Sequence, residues 1–221
     1  MEIDALRLAL EAVAEPDKAE PMAAYMRHRF EFLGAKAPAI RLAAKPTLAA
    51  AGELDGDELI TFVDQCWDQP EREFQYVGCQ LLRKWVAKLE PGHLDDLERF
   101  IATKSWWDTV DSLAAWSVGP LVAANPGLVA TMDRWIEDEN IWLARTAIIH
   151  QLGYKADTDA DRLFRYAELR AEDTEFFIRK AIGWALRQYA REDPDEVRAF
   201  VAANDDRLSG LSKREALKHL G

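Results

Sequence analysis

The segment SWWDTVDSLAAW at residues 105–116 decides the fold once it is set beside NIWLARTAIIHQL at 140–152 and FFIRKAIGWALRQYA at 176–190. In each, apolar residues recur at helical spacing and not in the two-residue alternation of a half-buried strand. The core stripe of the first, continued to Ser117, is Trp106, Val110, Leu113, Ala114 and Ser117; that of the third is Ile178, Ile182, Ala185 and Tyr189. Asp111, Arg145 and Arg179 follow one another at intervals of 34 residues, and Trp106-Trp107, Ile141-Trp142 and Phe176-Phe177 open the three segments. A period of that size with two helices per unit is the signature of an α-solenoid. The consensus glycines and prolines of a tetratricopeptide array are absent. The expected fold is therefore all-α, a right-handed superhelix of about six HEAT-like antiparallel helix pairs forming a single domain over residues 1–221. The alternative is a compact helical bundle without repetition.

Working outward, the pattern gives helix pairs at 57–69 with 74–88, 93–103 with 106–124, 126–138 with 141–153, 159–171 with 176–191, and 194–204 with 212–220. Helices near 3–14, 21–30 and 38–50 precede them. In LITFVDQCW, residues Leu59, Ile60, Phe62, Val63, Cys66 and Trp67 make one face; Phe74, Val77, Leu81, Leu82 and Trp85 make the next. Asn125-Pro126 and Asp193-Pro194 read as an N-cap followed by proline in the first turn. Ser212-Lys213-Arg214-Glu215 reads as a capping box, with Leu211 as its hydrophobic staple.

The chain has 221 residues, 49 % hydrophobic and 30 % charged, which excludes wholesale disorder. No apolar run approaches the roughly 18 residues of a membrane span, and MEIDALRLALEAVAE carries acids and no basic leader, so no signal peptide is expected. Cys66 and Cys79 form no CxxC, and His28, His93, His150 and His219 form no metal-spaced pair. A Walker loop and a GxGxxG are also missing. A reduced, cytoplasmic protein without disulfide, metal or cofactor is expected.

The net charge of −11 argues at face value against nucleic acid. It sorts by helix, however. The first helices of the four pairs between 53 and 173 total −14, and the second helices between 71 and 191 total +5. In a solenoid the two sets line opposite faces, so one face is acidic and the other mildly basic. Solvation of the outer helices by acids accounts for the same pattern.

Four residues sit oddly for a core. Trp184 lies about 120° from Ile178 on a helical wheel, between Lys180, Arg187 and Arg191. Such a ring suits stacking on a sugar or base with phosphates alongside, or else covers an inter-repeat groove under arginine stems. Trp107 and Asp111 are one turn apart on the flank of their stripe. A carboxylate placed there stabilises a nearby cation, orients a water, or simply pairs with an arginine. Arg145 lies among Ile141, Ile148, Ile149 and Leu152 near its helix start, where the dipole opposes it. Burying it requires an anion, either Asp111 one repeat earlier or a ligand phosphate. Trp116, Trp135 and Trp142 read as packing.

WWDTVD at 106–111, NIWLARTAIIHQL and FFIRKAIGWALRQYA resemble the AlkD-like alkylpurine DNA glycosylases. YMRHRFEFLGAKAPAIR at 25–41 resembles that family's N-terminal segment, and LSGLSKREALKHL at 208–220 its C-terminal helix. The resemblance runs along nearly the whole chain. It implies a superhelix of HEAT-like pairs and excision of cationic alkylpurines such as 3-methyladenine and 7-methylguanine from double-stranded DNA. It further implies that Trp107 and Asp111 flank the damaged nucleotide's sugar, that Trp184 is a second aromatic wall and that Arg145 holds phosphate. Arg179, Lys180, Arg187 and Arg191 are the expected further DNA contacts. The expected protein is a monomer, nucleoid-associated when acting, that releases the base without cleaving the strand, since WWDTVD carries no lysine. The acidity of the whole chain departs from the pattern. Two rival readings are a non-catalytic helical-repeat scaffold and a relative that binds DNA structures without excision.

Overall fold

The computed structural model describes residues 1–220. Among these residues the regular structure is helical, and an isolated parallel bridge joins Glu31 and Glu71. The chain divides into two compact units that meet between Asp96 and Leu97.

In the first unit α1 is Ile3–Glu11, α2 Pro16–Tyr25, α3 Ala37–Ala43, α4 Lys45–Ala50, α5 Gly56–Asp68 and α6 Arg72–Lys84. The expected helix at 21–30 starts earlier because Pro16, in the first turn, needs no N–H bond. It stops at Tyr25, and Arg27 and His28 then turn the chain with φ of 57° and 53°. The expected 38–50 helix is broken at Ala44, since Pro46 has no N–H to give Leu42 and its ring crowds that carbonyl. Asp55 and Glu58 form a capping box on α5, with bonds of 2.9 and 3.0 Å. The buried face of α5 is the six-residue set read from LITFVDQCW. It packs on Phe74, Val77, Leu81 and Leu82 of α6. Trp85 ends α6 half-buried and donates from its indole to the Leu48 carbonyl at 3.0 Å. Cys66 and Cys79 are buried free thiols, and burial pushes the Cys66 thiol up.

Helix α7, Leu94–Ala102, runs across the boundary. The second unit continues with α8 (Trp107–Leu113), a π-helical turn at Ala114–Val118, α9 (Gly119–Ala124), α10 (Val129–Trp135) and α11 (Ile141–Ile149). Then come α12 (Ala160–Leu169), α13 (Phe176–Tyr189), α14 (Pro194–Ala203) and α15 (Gly210–Ala216). Helices α10 and α11, α12 and α13, and α14 and α15 pack as sequential pairs. The second helices also pack on one another in order, α8 on α11, α11 on α13 and α13 on α15. That is the repeat arrangement the 34-residue register predicts. Asp193 caps α14 by accepting the Glu196 N–H at 2.8 Å. Asn125 does not cap; its amide donates back to the Leu121 carbonyl at 2.9 Å. The expected 106–124 helix widens by the π turn where Pro120 cannot bond to Trp116. No single described helix is long and apolar enough to cross a membrane.

Capping at the C-terminus differs from the sequence reading. Ser209, not Ser212, caps α15, accepting the Ser212 N–H at 3.0 Å. Ser212 is buried and its hydroxyl donates to the Arg179 carbonyl at 2.9 Å. The two helices approach so closely at Gly183 that a Cβ there would lie 2.5 Å from Cβ of Glu215 and 2.8 Å from the Ser212 carbonyl oxygen.

His150 follows α11 and is completely buried. Its Nδ1 lies 2.7 Å from the Ala147 carbonyl, an acceptor, so Nδ1 carries the proton; Nε2 has no hydrogen-bond partner. Burial lowers the imidazole pKa to about 4. The unfolded chain therefore binds the extra proton first on acidification. Stability from this residue is complete above about pH 6.5 and falls by about 3 kcal/mol as the pH drops to 4. Urea unfolding at pH 7 and pH 4 is expected to show a smaller acid loss for His150→Gln than for the native chain. Equal losses would contradict this assignment.

Candidate active site

Every residue singled out for function lies in the second unit, on α8, α11 and α13 or, for Arg191, in the turn just after α13. Trp106 precedes α8 in an extended conformation, φ −160° and ψ 159°, which turns its ring into the core. The ring meets Trp142 of α11 at 5.6 Å and Phe177 of α13 at 5.0 Å; Trp142 and Phe177 are 5.0 Å apart. These tilted and edge-on contacts lock three successive second helices together, each pair contributing about 0.5–1.5 kcal/mol beyond area burial. The aromatic doublets thus serve packing first. Trp107, one residue on, is half-buried at the start of α8.

Asp111 stands one turn after Trp107 on the same flank. Its two carboxylate oxygens accept from Nε and Nη2 of Arg145 at 2.7 and 2.8 Å, a bidentate fork. The third guanidinium nitrogen, Nη1, donates to the Phe177 carbonyl. The guanidinium carbon lies 5.9 Å from the Phe177 ring centroid. The Arg145 side chain is 4 % exposed and that of Asp111 17 %. Of the two anions open to Arg145 on sequence grounds, the structure supplies Asp111. The expectation that Arg145 itself holds phosphate changes accordingly, because its fork is committed to the carboxylate. Burial pushes the Asp111 carboxyl above the ordinary aspartate value, against the pull of Arg145 and with some help from Asp108. The outcome is a nearly buried carboxylate with a fixed rotamer and a remaining exposed edge.

Trp184 is half-buried on α13, seven residues beyond Phe177 and so two turns along the same face. The cations around it are not all open. Lys180 reaches Glu215 of α15 at 2.6 Å, and Arg187 pairs with the same carboxylate. These two contacts, Lys180 first, hold the Glu215 carboxyl below its usual range. Arg179 bends back to donate from Nε to the Asp173 carbonyl at 2.6 Å, and Arg191 is exposed. Glu215 is the site residue that sequence reasoning missed, having placed it in a capping box. The signal available was Gly183, a glycine inside a strong helix, which marks the close approach of another element. Trp135 is fully buried and Trp142 sits in the aromatic cluster, as expected for packing. Trp116 is instead 40 % exposed, at the wall of a cavity of about 640 Å³ that Tyr154 and Arg162 also line.

The family model described as "DNA alkylation repair enzyme" matches residues 6–220. The chain belongs to this family. A predicted DNA alkylation repair enzyme from Enterococcus faecalis is 32 % identical, with a TM-score of 0.87 over 94 % of this chain and 97 % of that one. Two structures from Streptococcus mutans share the fold at lower identity. AlkD2 is 16 % identical, with a TM-score of 0.62 over 79 % of this chain and 87 % of its own. The protein smu.31 is 15 % identical, with a TM-score of 0.62 over 80 % of this chain and 93 % of its own. No curated protein matches the chain. Membership of the family links this chain to DNA and to the repair of alkylated bases. Among the described residues no group of three or more His, Cys, Asp or Glu side chains is placed to hold a metal ion.

Proposed function

We propose that this family member is a monofunctional glycosylase that hydrolyses the N-glycosidic bond of cationic alkylpurines, such as 3-methyladenine and 7-methylguanine, in duplex DNA. The observation that carries the reading is the Asp111 carboxylate, fixed by the Arg145 fork and largely desolvated, with Trp107 one turn before it on α8.

A purine alkylated at N3 or N7 is already positively charged, so it departs without a buried acid to protonate it. The bond from C1′ to the base nitrogen breaks, its electron pair neutralises the base, and the sugar becomes oxocarbenium-like. A preorganised carboxylate stabilises that charge and directs a water onto C1′. The water's oxygen bonds to C1′ and its proton leaves to solvent. Trp107 and Trp184 supply indole faces for the sugar edge and the cationic base. Arg145 is a positioning residue that sets the carboxylate's rotamer. Arg179, Lys180, Arg187 and Arg191 are the proposed phosphate contacts. Lys180, the lysine of α13, has its amine engaged with the Glu215 carboxylate, which accords with hydrolysis in place of amine attack on the sugar.

The test is incubation with duplex DNA carrying 7-methylguanine. Release of free 7-methylguanine above the spontaneous rate, with the strand intact until alkali is added, is the expected result. Binding of the duplex with no base release would favour the reading as a non-catalytic DNA binder.

A further inference from the structure

We infer that Glu215 is an internal competitor of DNA phosphate: it occupies Lys180 and Arg187, which flank Trp184, and so weakens lesion-independent binding at the site. The inference rests on the glycosylase reading of that site and adds a residue that reading does not use. One carboxylate bridges two cations placed one turn before and one turn after Trp184. The Glu215 side chain is 16 % exposed, that of Arg187 21 % and that of Lys180 39 %, so the anion sits beside a part-buried Arg187 and beneath a Lys180 that reaches toward solvent. It cannot readily swing away. Its helix is fastened to α13 by the hydroxyl of Ser212 on the Arg179 carbonyl, and the contact at Gly183 leaves no room even for a methyl group.

A phosphate approaching Trp184 therefore meets two cations that already share one fixed anion, so the three groups together present one positive charge instead of two. Each must share Glu215 or leave it before it neutralises DNA. Phosphate contacts give affinity without sequence or lesion information, and each adds about −0.9 to the slope of log affinity against log salt. Glu215 lowers both the affinity and the slope.

The experiment is fluorescence-anisotropy titration of an undamaged duplex across a salt series. It compares the native chain, Glu215→Gln, Lys180→Gln/Arg187→Gln, and the triple variant, with melting temperatures alongside. Glu215→Gln is expected to bind several-fold more tightly at low salt, with a slope steeper by about one phosphate equivalent, roughly 0.9. The triple variant is expected to lose that gain. In the native background the double variant is expected to lose about one equivalent and not two, because Glu215 already offsets one of the two charges, and this tests the inference even if Glu215→Gln folds poorly. A folded Glu215→Gln with native slope and affinity, or a double variant that loses two full equivalents, would overturn the inference while leaving the glycosylase reading standing. Failure of the native chain to bind duplex at any salt would overturn both.

Discussion

Asp111→Asn is expected to lower single-turnover release of 7-methylguanine by on the order of 10²-fold or more, the scale of one lost preorganised electrostatic contact. It is also expected to lower the melting temperature. The native carboxylate takes two donors from a guanidinium that is 4 % exposed. An asparagine keeps one acceptor and turns an amide N–H₂ toward the other guanidinium nitrogen. Leaving such a charge buried without its partner costs about 3–5 kcal/mol. Excision and stability should therefore fall together in this variant. The pH profile carries a second signature. On the proposed mechanism the ionised carboxylate acts, and burial raises its pKa, so excision should decline on acidification with a midpoint above the usual aspartate value of about 3.9. A decline centred at or below that value would contradict the assignment of the acid limb to Asp111.

Gly119→Ala is expected to destabilise the protein by about 3 kcal/mol or more, although alanine normally favours a helix over glycine by about 1 kcal/mol. Gly119 begins α9 directly after the π turn. A Cβ there would lie 2.2 Å from the His150 carbonyl oxygen and 3.3 Å from that of Ala114. The obstacle is backbone, so no rotamer change relieves it. The Gly119 carbonyl also receives the Tyr154 hydroxyl at 2.7 Å, and that bond would be strained by the shift. Urea unfolding reads the effect directly. A midpoint equal to or above that of the native chain would contradict the close approach.

The helical repeat was legible because its cause is local. Apolar residues at helical spacing within one repeat fix which face is buried, and the 34-residue interval carries that face to the next repeat. The same interval placed Asp111 and Arg145 one repeat apart, and left the arginine's anion as a choice between carboxylate and phosphate. Only the packing of α8 on α11 resolves that choice. What stayed hidden is tertiary. Ser209 and Ser212 are both able to cap a helix, and which one does so depends on Ser212 being buried against Arg179. Glu215 reads as a capping residue from its spacing to Ser212, yet it faces α13 because Gly183 lets the helices touch. The basic stripe around Trp184 therefore reads as more open in the sequence than it is in the fold. The split at Ala44 and the early start at Pro16 were written in prolines. They shift helix ends, and boundaries depend on capping more than on periodicity.

On the proposed mechanism the charge of Asp111 stabilises the sugar cation and is not merely the counter-ion of Arg145. The double variant Asp111→Asn/Arg145→Gln tests it most directly. Removing both charges replaces the buried ion pair by two amides that can hydrogen-bond to each other, and leaves no uncompensated charge. The melting temperature is then expected to recover most of what Asp111→Asn alone loses. Single-turnover release of 7-methylguanine is expected to remain depressed by on the order of 10²-fold or more relative to the native chain. Recovery of excision together with stability, to within a few-fold of native, would contradict the account and leave Asp111 a structural partner of Arg145.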